Sequence, residues 1–171
     1  MQYALDYFKK NDVAVIWSPQ EGTQTALIAC PIFEVFFGGA RGGGKTESSI
    51  GDWLSHSNLY GENAVGLFVR KTFVQLQEVI ARTKQIFGKL GAKYNSQDHV
   101  WTMKNGARLK FAYLSKDSDA EEYQGHSYTR VSVEEVTNFA SPAPINKLRA
   151  TLRSATGVPV GMRLPGNPGG P

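Results

Sequence analysis

Eight consecutive residues constrain this chain more than any other feature. Gly39-Ala40-Arg41-Gly42-Gly43-Gly44-Lys45-Thr46 fits the pattern G-x-x-x-x-G-K-[ST] at every fixed position. The pattern carries meaning only between a strand and a helix, and the flanks predict both. Residues 33–37 form an apolar, aromatic-rich run closed by Gly38 and Gly39, which reads as a buried strand. Ile50, Trp53 and Leu54 keep i, i+3, i+4 spacing, which predicts a helix over residues 45–56. Between such elements, glycines let successive N–H groups point into one cavity, and the helix adds its positive end to the same anion site. Lys45 would reach the β- and γ-phosphates of a nucleoside triphosphate, and the Thr46 hydroxyl would bind Mg²⁺. The bland alternative is a flexible glycine turn with a chance Lys-Thr, and the flanking elements argue against it.

The rest of the chain bounds the frame around this loop. With 171 residues, 41% hydrophobic and 20% charged, one domain with a real core is expected. The single cysteine, Cys30, excludes an internal disulfide and fits a reducing compartment. No apolar run approaches the roughly 20 residues of a membrane helix, and residues 1–6 lack a signal-peptide profile. A soluble, intracellular chain is the expectation. Strands are predicted over residues 65–69, 129–133 and 158–164. A long helix is predicted with Phe73, Leu76, Ile80, Thr83 and Phe87 on one face, and a short one over 145–152. Residues 99–103 and 107–114 flank Asn105-Gly106, a hairpin turn signal. Strands alternating with helices imply an α/β fold with a mostly parallel central sheet, helices on both faces and an inserted β-hairpin. From Gly157 to Pro171, glycine and proline supply nine of fifteen residues, which composition alone would read as a linker.

A phosphate loop needs a carboxylate at the end of a nearby parallel strand for the metal, and hydrolysis needs a base. Val131-Ser132-Val133-Glu134-Glu135 offers both: Glu134 to ligate Mg²⁺ directly or through water, Glu135 to polarise the attacking water. Two consecutive carboxylates favour hydrolysis over transfer to an acceptor. A solvated pair opening a loop is the alternative. The acidic stretch Asp117, Asp119, Glu121 and Glu122 lacks strand context and reads as a solvated loop.

With loop and Glu pair in place, the chain resembles the ATPase domain of a phage terminase large subunit, from about Trp17 to Pro171. Gln24 stands ahead of the loop at the spacing of that family's adenine-contacting glutamine. The Gly-Gly-x-x-Gly-Gly-Gly-Lys form ends at Lys45. Val69-Arg70-Lys71 follows the second strand, where relatives carry a basic segment. Tyr123-Gln124-Gly125 precedes the acidic strand, Thr137 follows the Glu pair, and Gly166-Asn167-Pro168-Gly169-Gly170 resembles the coupling motif, whose Asn reads the nucleotide state. The resemblance implies an ASCE-type P-loop fold, with residues 1–171 as one ATPase domain lacking its C-terminal part and the nuclease domain. It implies an ATPase whose nucleotide site comprises Gln24, Gly39, Ala40, Arg41, Gly42, Gly43, Gly44, Lys45, Thr46 and Asn167. It further implies Mg·ATP hydrolysis coupled to sequence-independent movement of double-stranded DNA into a procapsid, in the cytoplasm of an infected bacterial host. The implied partners are portal protein, terminase small subunit and further copies of this chain in a ring. Relatives usually carry Asp-Glu where Glu134-Glu135 stands here, and the extra methylene moves the first carboxylate by about 1.5 Å.

Residues 62–116 hold ten Lys and Arg against three acidic residues, a net +7 within a chain of +4. Such a segment could contact DNA phosphates without reading sequence, or simply be solvated. An arginine finger for the γ-phosphate is expected from Arg41 in cis or from Arg149 or Arg153 toward a neighbour. His56, His99, His126 and Cys30 show no ligand spacing, and Trp17, Trp53 and Trp101 are expected in the core. Another P-loop translocase or helicase, a nucleotide-binding fragment with little activity alone, and a small-molecule kinase are the rival readings.

Overall fold

The computed structural model describes Lys10 and residues 14–39 and 42–168. In chain order its elements are α1 (Thr23–Ala29), β1 (Glu34–Gly38), α2 (Lys45–Tyr60), β2 (Val65–Arg70), α3 (Phe73–Phe87), β3 (Lys93–Asn95), β4 (Val100–Thr102), β5 (Arg108–Tyr113), β6 (Arg130–Val133), α4 (Ala143–Arg149) and β7 (Gly161–Gly166). The strands form one seven-stranded sheet in the order β1-β7-β6-β2-β5-β4-β3. Pairing is parallel from β1 to β5, and β4 and β3 extend it antiparallel. The hairpin is therefore continuous with the sheet, because β5 pairs parallel with β2 from Val65↔Arg108 to Arg70↔Tyr113.

Period-two alternation splits the core into two layers. On one face α2 and α3 cover Phe68, Leu109 and Phe111, with Trp53, Leu76, Val79, Ile86, Phe87 and Trp101 filling the layer. Each such side chain, fully buried, stabilises the fold by about 1.5–3 kcal/mol. On the other face Leu67, Val69, Val131, Val133, Met162 and Leu164 pack against α4 and the 3-10 turn Asp117–Tyr123. Close approach has specific requirements. A side chain on Gly51 would enter the Trp17 ring, its Cβ 2.1 Å from Cη2. Trp17 is half-buried, and Trp53 and Trp101 are buried.

The Gly/Pro-rich end places a buried strand inside the parallel region, next to its edge. β7 joins β1 to β6, and every one of its residues is buried. Pro165 is tolerated there because β6 pairs only as far as Arg163, which leaves no ladder bond on that side for its missing N–H to make. Arg163 is locked from α2 by Asp52 (Nε–Oδ1 3.1 Å) and donates to the carbonyls of Ile32 and Cys30 at 3.0 and 3.1 Å. Beside it, His56 is buried: Arg130 Nη2 lies 3.1 Å from its Nδ1, so the other nitrogen carries the proton toward Thr129 Oγ1 at 2.8 Å. Desolvation, reinforced by Arg130 and Arg163, pushes this imidazole down to about 3.

Candidate functional site

The parallel strands β1, β7, β6 and β2 end on the same side of the sheet. Just past those ends, or at the last strand residue, they carry Gly39, Asn167, Glu134 and Arg70. A cleft of about 530 Å³ opens there, lined by residues 42–47 with Gln75, Glu135, Thr137, Asn138 and Asn167. Its floor is the glycine loop entering α2. Gly44 caps that helix at φ +69°, a left-handed conformation that favours glycine, and the helix opens with Ser48 N–H on the Gly44 carbonyl at 2.9 Å. A Cβ at Gly44 would also stand 2.3 Å from Gln24 Nε2. Gln24 is buried; it donates to the Gly44 carbonyl at 3.3 Å and accepts from Gln20 N–H at 2.7 Å, so this amide anchors the loop from α1. Lys45 Nζ donates to the Gly39 carbonyl and to Asn167 Oδ1, both at 2.8 Å, which ties the loop to the end of β7.

The two glutamates occupy different environments. Glu134 remains in register beside β2, its N–H donating to the Val69 carbonyl at 2.9 Å. Its carboxylate is buried, accepts from Thr46 Oγ1 at 3.0 Å, and pairs with Arg70 Nη2. Burial pushes Glu134 above the usual carboxylate range, with the Arg70 charge and the Thr46 hydroxyl pulling against it. Its second oxygen, Oε1, is buried with no hydrogen-bond partner. Such an orphaned acceptor beside the Thr46 hydroxyl fits a divalent cation completed by nucleotide oxygens. Among the described residues no cluster of three or more His, Cys, Asp and Glu gathers as a metal cage, so any cation here depends on those outside oxygens.

Glu135 points into the cleft from a backbone at φ +52°, a left-handed conformation uncommon outside glycine and stored where surrounding contacts enforce it. Those contacts are on the carboxylate: Gln75 Nε2 and Asn138 Nδ2 each donate to Oε2 at 3.0 Å, and Arg70 Nη1 lies 3.3 Å from Oε1. Gln75 is delivered by helix capping, since the Thr72 hydroxyl accepts its backbone N–H at 3.4 Å and starts α3 at that point.

Of the residues singled out in sequence, Gly42, Gly43, Gly44, Lys45, Thr46, Glu135 and Asn167 line the cleft; Gln24, Gly39 and Glu134 support it from beneath. Ala40, Arg41, Gly169 and Gly170 lie outside the described residues. Arg149 and Arg153 are elsewhere. Arg149 binds Glu34 in a fork (Nε–Oε2 2.5 Å, Nη2–Oε1 2.7 Å) at the opposite end of β1, and holds that carboxyl below its usual range. Arg153 donates to Ser127 Oγ and the Gly125 carbonyl, both at 2.7 Å. Three further residues complete the site with no motif to mark them: Gln75 and Asn138 line the cleft, and Arg70 backs it against the glutamates. Sequence counts Arg70 with the basic segment, but it is buried and turned to the glutamates. A charged residue closing an otherwise apolar strand was its one signal, because burying a cation requires a paired anion.

The remaining basic residues separate as well. Arg82 is engaged with Glu47, whose carboxyl it holds down, at 2.5 and 3.1 Å. Lys84 lies over the Tyr94 ring and Lys71 over Phe139. Register places Lys93, Thr102 and Arg108 in one row across β3, β4 and β5, on the face opposite half-buried Tyr94 and buried Trp101 and Leu109. Lys110 follows on the same face, over the Tyr123 ring.

The family model described as terminase large subunit, T4likevirus-type, N-terminal, matches residues 36–157, from β1 past the Glu pair. The chain belongs to that family. No curated protein matches it in sequence. Among solved structures, the large terminase of the thermophilic bacteriophage D6E gives a TM-score of 0.69 at 14% identity, over 88% of this chain and 40% of that one. The same terminase in complex with ADP gives 0.63 at 21% identity, over 87% and 38%. The N-terminal domain of the DNA packaging ATPase from bacteriophage phi29 gives 0.61 at 14%, over 89% and 79%. These likenesses establish the fold, an ASCE-type P-loop α/β sheet in which β7 stands between the phosphate-loop strand and the acidic strand. The chain spans about two fifths of the length of the D6E terminase.

Proposed function

We propose that this chain is the ATP-hydrolysing part of a DNA-packaging motor, coupling Mg·ATP hydrolysis to movement of double-stranded DNA. One observation carries the reading: Lys45, Thr46, Glu134, Glu135 and Asn167, drawn from two strand ends and one helix start, converge on a single cleft. A terminase with this fold is known in complex with ADP, which supports nucleotide as the occupant.

In this mechanism the loop amides and Lys45 hold the triphosphate. Thr46 and Glu134 would hold the divalent cation, which supplies neutralisation of phosphate charge. Glu135, oriented by Gln75 and Asn138, takes a proton from water as the water oxygen bonds to the γ-phosphorus and the bond to ADP breaks. Closing the site on the phosphates draws Lys45 from Asn167, so the end of β7 registers the occupied state. Arg41 in cis, or Arg149 or Arg153 on a neighbouring copy, supplies the finger; Arg149 sits too far along β1 to serve its own cleft. The basic face at Lys93, Arg108 and Lys110 contacts DNA phosphates without reading bases. Portal protein, small subunit and further copies of the chain complete the motor in the host cytoplasm.

The test is ATP turnover in the full-length protein with and without double-stranded DNA. Glu135→Gln is expected to keep ATP affinity and lose at least about 10²-fold in turnover, the ordinary worth of a positioned base. Turnover near the wild-type value in that variant would remove Glu135 from the role. Stimulation by single-stranded but not double-stranded DNA would point to a helicase instead.

A further inference from the structure

Arg70 presents an unusual arrangement: one buried guanidinium touches every oxygen group that the cation reading needs. Nη2 donates to Thr46 Oγ1 at 3.1 Å and pairs with Glu134 Oε2, while Nη1 reaches Glu135 Oε1 at 3.3 Å. Thr46 and Glu134 are themselves joined at 3.0 Å, so hydroxyl and carboxylate already converge on a positive charge. Backbone bonds fix the arginine on both sides, from Leu114 N–H to the Arg70 carbonyl and from Glu134 N–H to the Val69 carbonyl, at 3.0 and 2.9 Å. Side-chain torsions are thus its means of leaving. Its fit is also incomplete. Arg70 Nε and Glu134 Oε1 are both buried without a partner, a state that costs free energy and favours exchange for a better ligand.

We propose that Arg70 is a built-in competitor of the divalent cation: it neutralises Glu134 and clamps Glu135 until a cation arriving with nucleotide displaces it. The inference rests on the Mg·nucleotide reading of the cleft and adds a regulation to it. Glu134 cannot stay charged in a buried site without a counter-ion, and two adjacent carboxylates repel. Arg70 supplies that counter-ion and so keeps the cleft folded while empty. The same guanidinium restrains Glu135 through Nη1, so displacing the arginine at Glu134 frees the base at Glu135. Cation binding and release of the base become one event, and Arg70 acts as a positioning residue through the two glutamates.

The experiment measures Mn²⁺ binding to the nucleotide-free protein by electron paramagnetic resonance, for the wild type, Arg70→Gln and Arg70→Lys. Removing a competing charge paired with the ligating carboxylate is expected to tighten Mn²⁺ by at least about tenfold in Arg70→Gln. Arg70→Lys, whose single ammonium cannot bridge both glutamates, should fall between. A purely structural arginine predicts the opposite, equal or weaker Mn²⁺ binding. Unchanged or weakened binding in folded Arg70→Gln overturns the proposal; should that variant fail to fold, Arg70→Lys decides by the same criterion. Fluorescent ADP binding to the wild type is read in parallel. Loss of ADP binding alone refutes the nucleotide reading, whereas ADP binding with no Mn²⁺ effect refutes the competitor alone.

Discussion

The sheet has two working ends built on opposite plans. At the strand ends of β1, β7, β6 and β2 the polar side chains are crowded and mutually engaged: Lys45 with Asn167, Thr46 with Glu134, Glu135 with Gln75, Asn138 and Arg70. At the antiparallel edge, Lys93 and Arg108 are exposed in a row. The first plan fixes geometry before a ligand arrives, as bond-breaking chemistry demands. The second suits a polyanion whose charges recur at constant spacing and whose sequence is not read. Both lie on one continuous sheet, joined through the β2–β5 pairing.

That contrast can be broken experimentally. The largest effect is expected at the fixed end: Lys45→Ala should weaken ATP binding by about 10²-fold or more, since it removes a charge-assisted phosphate contact, and calorimetry reads it. Affinity within a few fold of wild type would mean the cleft does not hold phosphates as described. Next, charge reversal of Lys93, Arg108 and Lys110 together should weaken double-stranded DNA binding and lower the salt slope by about three, one per lost phosphate contact. ATP binding should not move in that variant. If it does, the two ends are not separable. The smallest effect concerns His56, at the strand ends opposite the cleft. Its folded value of about 3 lies below the ordinary 6.5, so the unfolded chain binds the extra proton between those values. Stability from this group is therefore complete above about pH 6.5 and lost as pH falls toward 3. Melting curves at pH 7 and 5 should differ less in His56→Gln, which can keep both hydrogen bonds, than in the wild type.

Local signals carried most of the architecture. The apolar runs became β1, β2 and β6, the periodic faces became α2 and α3, and Asn105-Gly106 turned the hairpin as the spacing predicted. What escaped had no local signature. α1 is seven residues long, buries only Gln24 and Leu27, and has no side-chain cap, so its periodicity is too brief to register. β3 is three residues defined wholly by its partner β4. The site divides the same way. Lys45, Thr46 and the Glu pair follow from motif spacing. Arg70 and Gln75 reach Glu135 across 65 and 60 positions of sequence, and only the folded sheet brings such residues together.

The position of β7 sets a timetable for assembly. Among the described residues β1 pairs only with β7, and Lys45 meets Asn167 across 122 positions of sequence. During synthesis, the phosphate-loop strand therefore waits without a ladder while more than a hundred residues emerge, until residues 161–167 arrive to close the sheet. Long-range parallel pairings of this kind form late and slowly. The cleft is completed by the same strand that seals the fold, so a nascent chain short of β7 has its glycine loop but not the finished site.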